Sequence, residues 1–87
     1  MSIGQIVFSK QGRDKGFPFV VVSVKENYVC LVDGKLRKIE KPKKKKLMHI
    51  AKTLYIDESI AKSIINNEYI KNSDIRNAIE KFLRKER

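Results

Sequence analysis

Ile3-Gly4-Gln5-Ile6-Val7-Phe8, then Lys10-Gln11-Gly12-Arg13-Asp14-Lys15-Gly16, then Phe19-Val20-Val21-Val22-Ser23-Val24: this succession decides the reading of the chain. Two apolar runs, Ile3–Phe8 and Phe19–Val24, are rich in Val, Ile and Phe and end in turn residues, which predicts strands. Between them lies a basic loop pinned by two glycines. Glycine admits positive φ and close backbone approach. Such a loop offers backbone N–H groups and cationic side chains together, a pairing suited to phosphate.

Working outward, Glu26-Asn27 separates the second run from Tyr28–Val32, a further strand. Asp33-Gly34 is a strong hairpin signal and predicts a fourth strand, Lys35–Ile39, with its basic residues outward. Lys41-Pro42 breaks it, and Lys44–Ile50 then reads as a last strand, with Leu47 and His49 on one face and Met48 and Ile50 on the other. Five short strands in about 50 residues are too few for a seven-stranded sandwich. They suit a small, strongly bent SH3-like barrel, whose closure removes exposed edges.

Beyond this the period changes. Asp57 precedes Ile60, Ala61, Ile64 and Ile65, which predicts a short amphipathic helix capped by Asp57 and ended at Asn66-Asn67. Asn72-Ser73-Asp74 is expected to cap a second helix whose apolar stripe is Ile75, Ala78, Ile79, Phe82 and Leu83. Arg84, Lys85 and Arg87 sit at its C-terminal end, where the helix dipole favours cations. Val20, Val22 and Val24 fall on one face of the second strand and Phe19 and Val21 on the other, so both faces need cover. The expected fold is therefore mainly β plus α, a five-stranded barrel over 1–52 with two helices in 53–87 packed on its outside. Lys52–Ile56 joins the parts closely, without a flexible linker, so they form a single structural unit.

The chain has 87 residues, 41% of them hydrophobic, which fits one small globular domain. No apolar run approaches the roughly 20 residues that span a bilayer, and the first residues lack the pattern of a secretory signal, so a cytoplasmic location without a membrane partner is expected. Cys30 is the single cysteine and His49 the single histidine. An internal disulfide and a standard metal site are thereby excluded, and no cofactor is implied. Cys30 reads as a small buried hydrophobe. No carboxylate pair, phosphate-binding loop or nucleophile motif is recognisable, so no enzymatic activity is expected.

The formal charge of +10 is unevenly spread. Residues 1–52 carry 13 Lys/Arg against four acids, a surplus of nine, while 53–87 carry seven against six, a surplus of one. A surplus confined to one segment is a footprint for a polyanion. Its candidate contacts are Lys10, Arg13, Lys15 and Gly16 in the loop, Lys35, Arg37 and Lys38 after Asp33-Gly34, and Lys41, Lys43, Lys44, Lys45 and Lys46. The last group places five lysines in six residues. Their mutual repulsion disfavours a compact state, and phosphate relieves it by counterion release. Solvated charge, a nuclear-import-like address and a contact with anionic lipid compete for this run. Phe17, next to the loop, could stack on an unpaired base or pack in the core. Asp14 reads as charge balance for Arg13 and Lys15 and as a shaper of the loop.

Gly4 to Gly16 with Phe19–Val22 resembles the KOW motif, and Leu31-Val32-Asp33-Gly34 with Lys43–Ile50 extends the likeness over residues 3–50. The subgroup resembled comprises KOW-bearing large-subunit ribosomal proteins of archaea and eukaryotes and small bacterial KOW-domain RNA-binding proteins, the bacterial type above all. The resemblance implies an SH3-like barrel whose loops contact ribosomal RNA, with ribosomal proteins as further partners. Gly16 takes the place of the motif's glycine. The choice of RNA as the polyanion follows from the resemblance. The helices depart from the minimal module and favour a ribosome-associated factor over a constitutive subunit. The alternative is a protein-docking module of the translation or transcription machinery.

Overall fold

Five strands and two helices follow one another in the computed structural model, which describes residues 1–85. The strands are β1 (Gln5–Ser9), β2 (Pro18–Val24), β3 (Tyr28–Val32), β4 (Lys43–Lys46) and β5 (Ile50–Ile56), and the helices are α1 (Glu58–Ile65) and α2 (Asn72–Lys85). The sheet is antiparallel in the order β4-β3-β2-β1-β5. No ladder joins β4 to β5 among the described residues, so these two are the edges.

Strand alternation builds two apolar layers from the same residues. Ile6, Val20 and Val32 face one side, where Ile60 of α1 and Ile75, Ala78, Ile79 and Phe82 of α2 cover them. Val7, Phe19, Val21, Val29 and Leu31 face the other side and cluster with Ile50. Four neighbouring strands, β3, β2, β1 and β5, thus share one apolar cluster on that face. Each such side chain removed from water contributes about 1.5–3 kcal/mol. The expectation that both faces of the second strand need cover is met, with α2 supplying most of the outer layer. Val24 is the exception and stays exposed beyond the helices.

The helix signals were sound at α1. The Asp57 carboxylate accepts from the Ile60 N–H at 3.0 Å. At the other end Asn67 has φ 57°, its N–H donates to the Ile64 carbonyl, and the Glu68 N–H donates to that of Ser63. This pair of bonds is the Schellman arrangement, which closes the last turn. At α2 the carboxylate of Asp74 accepts from the Lys71 N–H at 3.0 Å. Arg87 lies outside the described residues.

Four local expectations are corrected. Lys35–Ile39 forms no strand. The Asp33 carboxylate accepts from the Lys35 and Arg37 N–H groups, each at 2.9 Å, while the N–H groups of Asp33 and Gly34 donate to the Arg37 carbonyl. Those bonds satisfy the segment locally and leave no free ladder. Lys44–Ile50 is not one strand either: β4 ends at Lys46, Leu47–His49 is a single 3-10 turn, and β5 begins at Ile50. The face assignments for Leu47 to Ile50 fall with it. Lys52–Ile56 belongs to β5, pairing with β1, rather than to a connector. Finally, Cys30 is half-buried rather than buried.

Candidate nucleic-acid interface

Residues 10–17 leave β1 and return to β2 as a closed loop. Gly12 and Gly16 take φ of 85° and 86°. Around Gly16 an added Cβ would meet nothing, so its requirement is the backbone turn alone. The Gly16 N–H donates to the Ser9 carbonyl at 2.8 Å and the Ser9 N–H to the Phe17 carbonyl at 3.1 Å, which ties the loop at its base.

Asp14 points inward and organises the loop. One carboxylate oxygen accepts from the Ser9 hydroxyl at 2.6 Å and from Lys45 Nζ at 2.9 Å, and the other accepts from Lys43 Nζ at 2.5 Å. Lys45 Nζ also donates to the Gln11 carbonyl at 2.6 Å. Burial alone would raise the Asp14 carboxyl. Hydrogen bonds from Lys43, Ser9 and Lys45, with the charge of Lys43, outweigh it and hold the group well below the usual carboxylate range. Asp14 therefore does not balance Arg13 and Lys15; its ion pairs are with Lys43 and Lys45.

This arrangement divides the lysine run. β4 pairs with β3 in the register Tyr28↔Lys46, Val29↔Lys45, Cys30↔Lys44 and Leu31↔Lys43. Paired residues share a face, and successive residues alternate. Lys43 and Lys45 thus lie on the inner side with Leu31 and Val29, and Lys45 is 9% exposed. Lys44 and Lys46 lie on the outer side, exposed, with Lys44 Nζ 4.1 Å from the Tyr28 ring centroid. The signal for this split was present in the sequence as strand period.

Residues 33–42 form a second basic loop, fastened differently. Asn72 of α2 accepts from the Ile39 N–H at 2.8 Å and donates to the Glu40 carboxylate at 3.0 Å. Arg76, one turn on, donates to the Gly34 carbonyl at 2.7 Å. Gly34 has φ 76°, and a Cβ there would run into Asn72 and Arg76. The bond from Asn72, a bond from its own backbone and the charge of Lys38 hold the Glu40 carboxyl below its ordinary value. Asn72, expected as a helix cap, is instead a clip between helix and loop. No local pattern betrays this, because its partners lie 32 and 33 residues away.

The two loops meet at a cleft of about 470 Å³ lined by Arg13, Phe17, Leu36, Arg37 and Lys43, with Asp14, Phe19 and Asp33. Lys10, Arg13, Lys15, Lys35, Arg37, Lys38, Lys41, Lys44 and Lys46 are all exposed, and none makes an ion pair among the described residues. The structure thus brings Arg13 and Arg37 to one cleft. It sets Lys44 and Lys46 on the neighbouring edge strand and withdraws Lys43 and Lys45 into an internal network. Among the described residues no three His, Cys, Asp or Glu side chains gather as metal ligands. No helix there is long and apolar enough to cross a membrane. No family model and no curated protein matches this chain.

Proposed function

We propose that this chain is a non-enzymatic RNA-binding protein of the KOW type, its five-stranded sheet an SH3-like barrel, acting in the cytoplasm on ribosomal RNA as a ribosome-associated factor. The observation that carries the reading is the convergence of two loops, 10–17 and 33–42, on one cleft with exposed, unpaired Arg13 and Arg37 at its wall. Lys10, Lys15 and Gly16 are exposed on the first of these loops and Lys35, Lys38 and Lys41 on the second. Lys44 and Lys46 add exposed charge on the outer face of β4, the face opposite Lys43. Lys43 and Lys45 act from behind, by seating Asp14 and hence the first loop.

Phosphate contacts of this kind give affinity and position more than sequence choice. With about five phosphates neutralised, the log–log dependence of affinity on salt has a slope of roughly −3.5 to −4.5. A fourfold rise in salt then weakens binding by about 10²–10³-fold. The test is a salt series with a structured ribosomal RNA fragment, run on the natural chain and on Lys44→Gln/Lys46→Gln. The double variant is expected to flatten the slope by roughly 0.7–0.9 for each lysine that contacts phosphate. A salt-independent affinity contradicts the reading and favours docking to a protein.

A further inference from the structure

The cleft between the loops has the wrong lining for phosphate alone. Phe17 is 50% exposed and Leu36 81%, large apolar side chains held in water. Both border the cleft of about 470 Å³ and also an adjoining hollow of about 300 Å³, whose other walls include Pro18, Ile79 and Leu83. Hollows of this size suit a small planar ligand. Asp33 lines both. A carboxylate repels a phosphate, but it accepts readily from the exocyclic amino group of a base.

We propose that the Phe17–Leu36 cleft is a binding site for an unpaired nucleobase of single-stranded RNA, with Arg13 and Arg37 holding the phosphates beside it. The proposal rests on the RNA-binding reading above and names the form of RNA that the site takes. A base enters the apolar slot and lies against the Phe17 ring. Asp33 faces its edge. A base within a duplex cannot reach the slot, because both of its faces are already stacked. The cleft thus adds to the phosphate contacts a preference for loops, bulges and ends.

The rigid floor matters here. Phe17 is tied by its own backbone: its N–H donates to the Asp14 carbonyl at 2.9 Å and its carbonyl accepts from Ser9. Leu36 lies inside the turn that Asp33 closes. The backbone at both walls is therefore held before ligand arrives, which limits the ordering cost of binding.

The experiment measures the affinity of the full chain for a short single-stranded oligocytidine and for a blunt RNA duplex of the same length, each over a salt series. The natural chain, Phe17→Ala and Phe17→Tyr are compared, with thermal unfolding as the control for folding. Phe17→Ala is expected to weaken the single strand by about 5- to 150-fold and to leave the duplex and both salt slopes unchanged. Phe17→Tyr, which keeps a ring, is expected to stay within a few-fold of the natural chain. Equal losses on both RNAs, or none on either, with the salt slopes intact, overturn the base site and leave the phosphate reading standing. Salt-independent binding, or no binding, of both RNAs overturns the two together.

Discussion

The two loops that wall the cleft are alike in composition and unlike in how they are held. Each has an aspartate, a glycine with positive φ and several cations. In residues 10–17 the aspartate turns inward and takes two lysines from β4, a strand about thirty positions later. In residues 33–42 the aspartate turns to its own backbone, and the long-range fastening comes from Asn72 and Arg76 of α2. One wall is anchored by charge in a nearly dry place, the other mainly by hydrogen bonds to a helix. The lesson is that the same residue types can be ligand-facing, structural or both, and that the partner of each loop's aspartate decides which.

This contrast can be broken from either side, and the first loop should break hardest. Asp14→Ala leaves Lys45 buried without its counter-charge, and loss of one partner of a buried pair costs about 3–5 kcal/mol. Denaturant unfolding checks this, and a loss below about 1 kcal/mol would mean that the pair is replaced by water. Acid gives a second readout. The Asp14 pKa is depressed by folding, so its stabilisation is fully present above the ordinary value of 3.8 and is lost as the pH falls below that toward the depressed value. Asp14→Asn should be less stable at neutral pH and should lose the part of the acid slope that Asp14 supplies, which unfolding at a series of pH values reads directly.

The second loop should yield more gently. Arg76→Ala removes a bond to the Gly34 carbonyl and Asn72→Ala one to the Ile39 N–H, each worth about 1 kcal/mol of stability. The larger consequence is local. Amide exchange at Ile39 and through residues 33–42 should quicken while that of β1 and β2 stays slow, since the loop opens without the sheet. Exchange that quickens across the whole chain would mean that the helix clip supports the core rather than the loop.

Much of this architecture was legible in the amino-acid order. The alternation in β1 and β2 and the 3.6-residue stripe of α2 gave the layers, because burial periodicity is a local signal. Asp57 and Asn66-Asn67 gave the ends of α1, because caps are local as well. What failed was the stretch from Asp33 to Ile56. There Asp33-Gly34 resembles a hairpin, but its carboxylate bonds two N–H groups of its own segment and consumes the donors that a strand would need. The lysine run, read as a uniform contact surface, is a strand with two faces, and Asp14 claims one of them. A blanket replacement of Lys43–Lys46 would therefore mix lost RNA contact with lost stability, whereas Lys44 and Lys46 alone separate the two. For Phe17 the sequence leaves stacking and core packing open; the structure leaves it half exposed, with the second loop as the opposite wall of its cleft.

The most direct test of the central claim is an amide-resolved NMR titration of the chain with structured ribosomal RNA. The account predicts that shifts concentrate in residues 10–17, in residues 33–42 and at Lys44 and Lys46, with α1 and the exposed Leu54 quiet. Shifts centred on α1, Leu54 and Tyr69, with both loops silent, would contradict it.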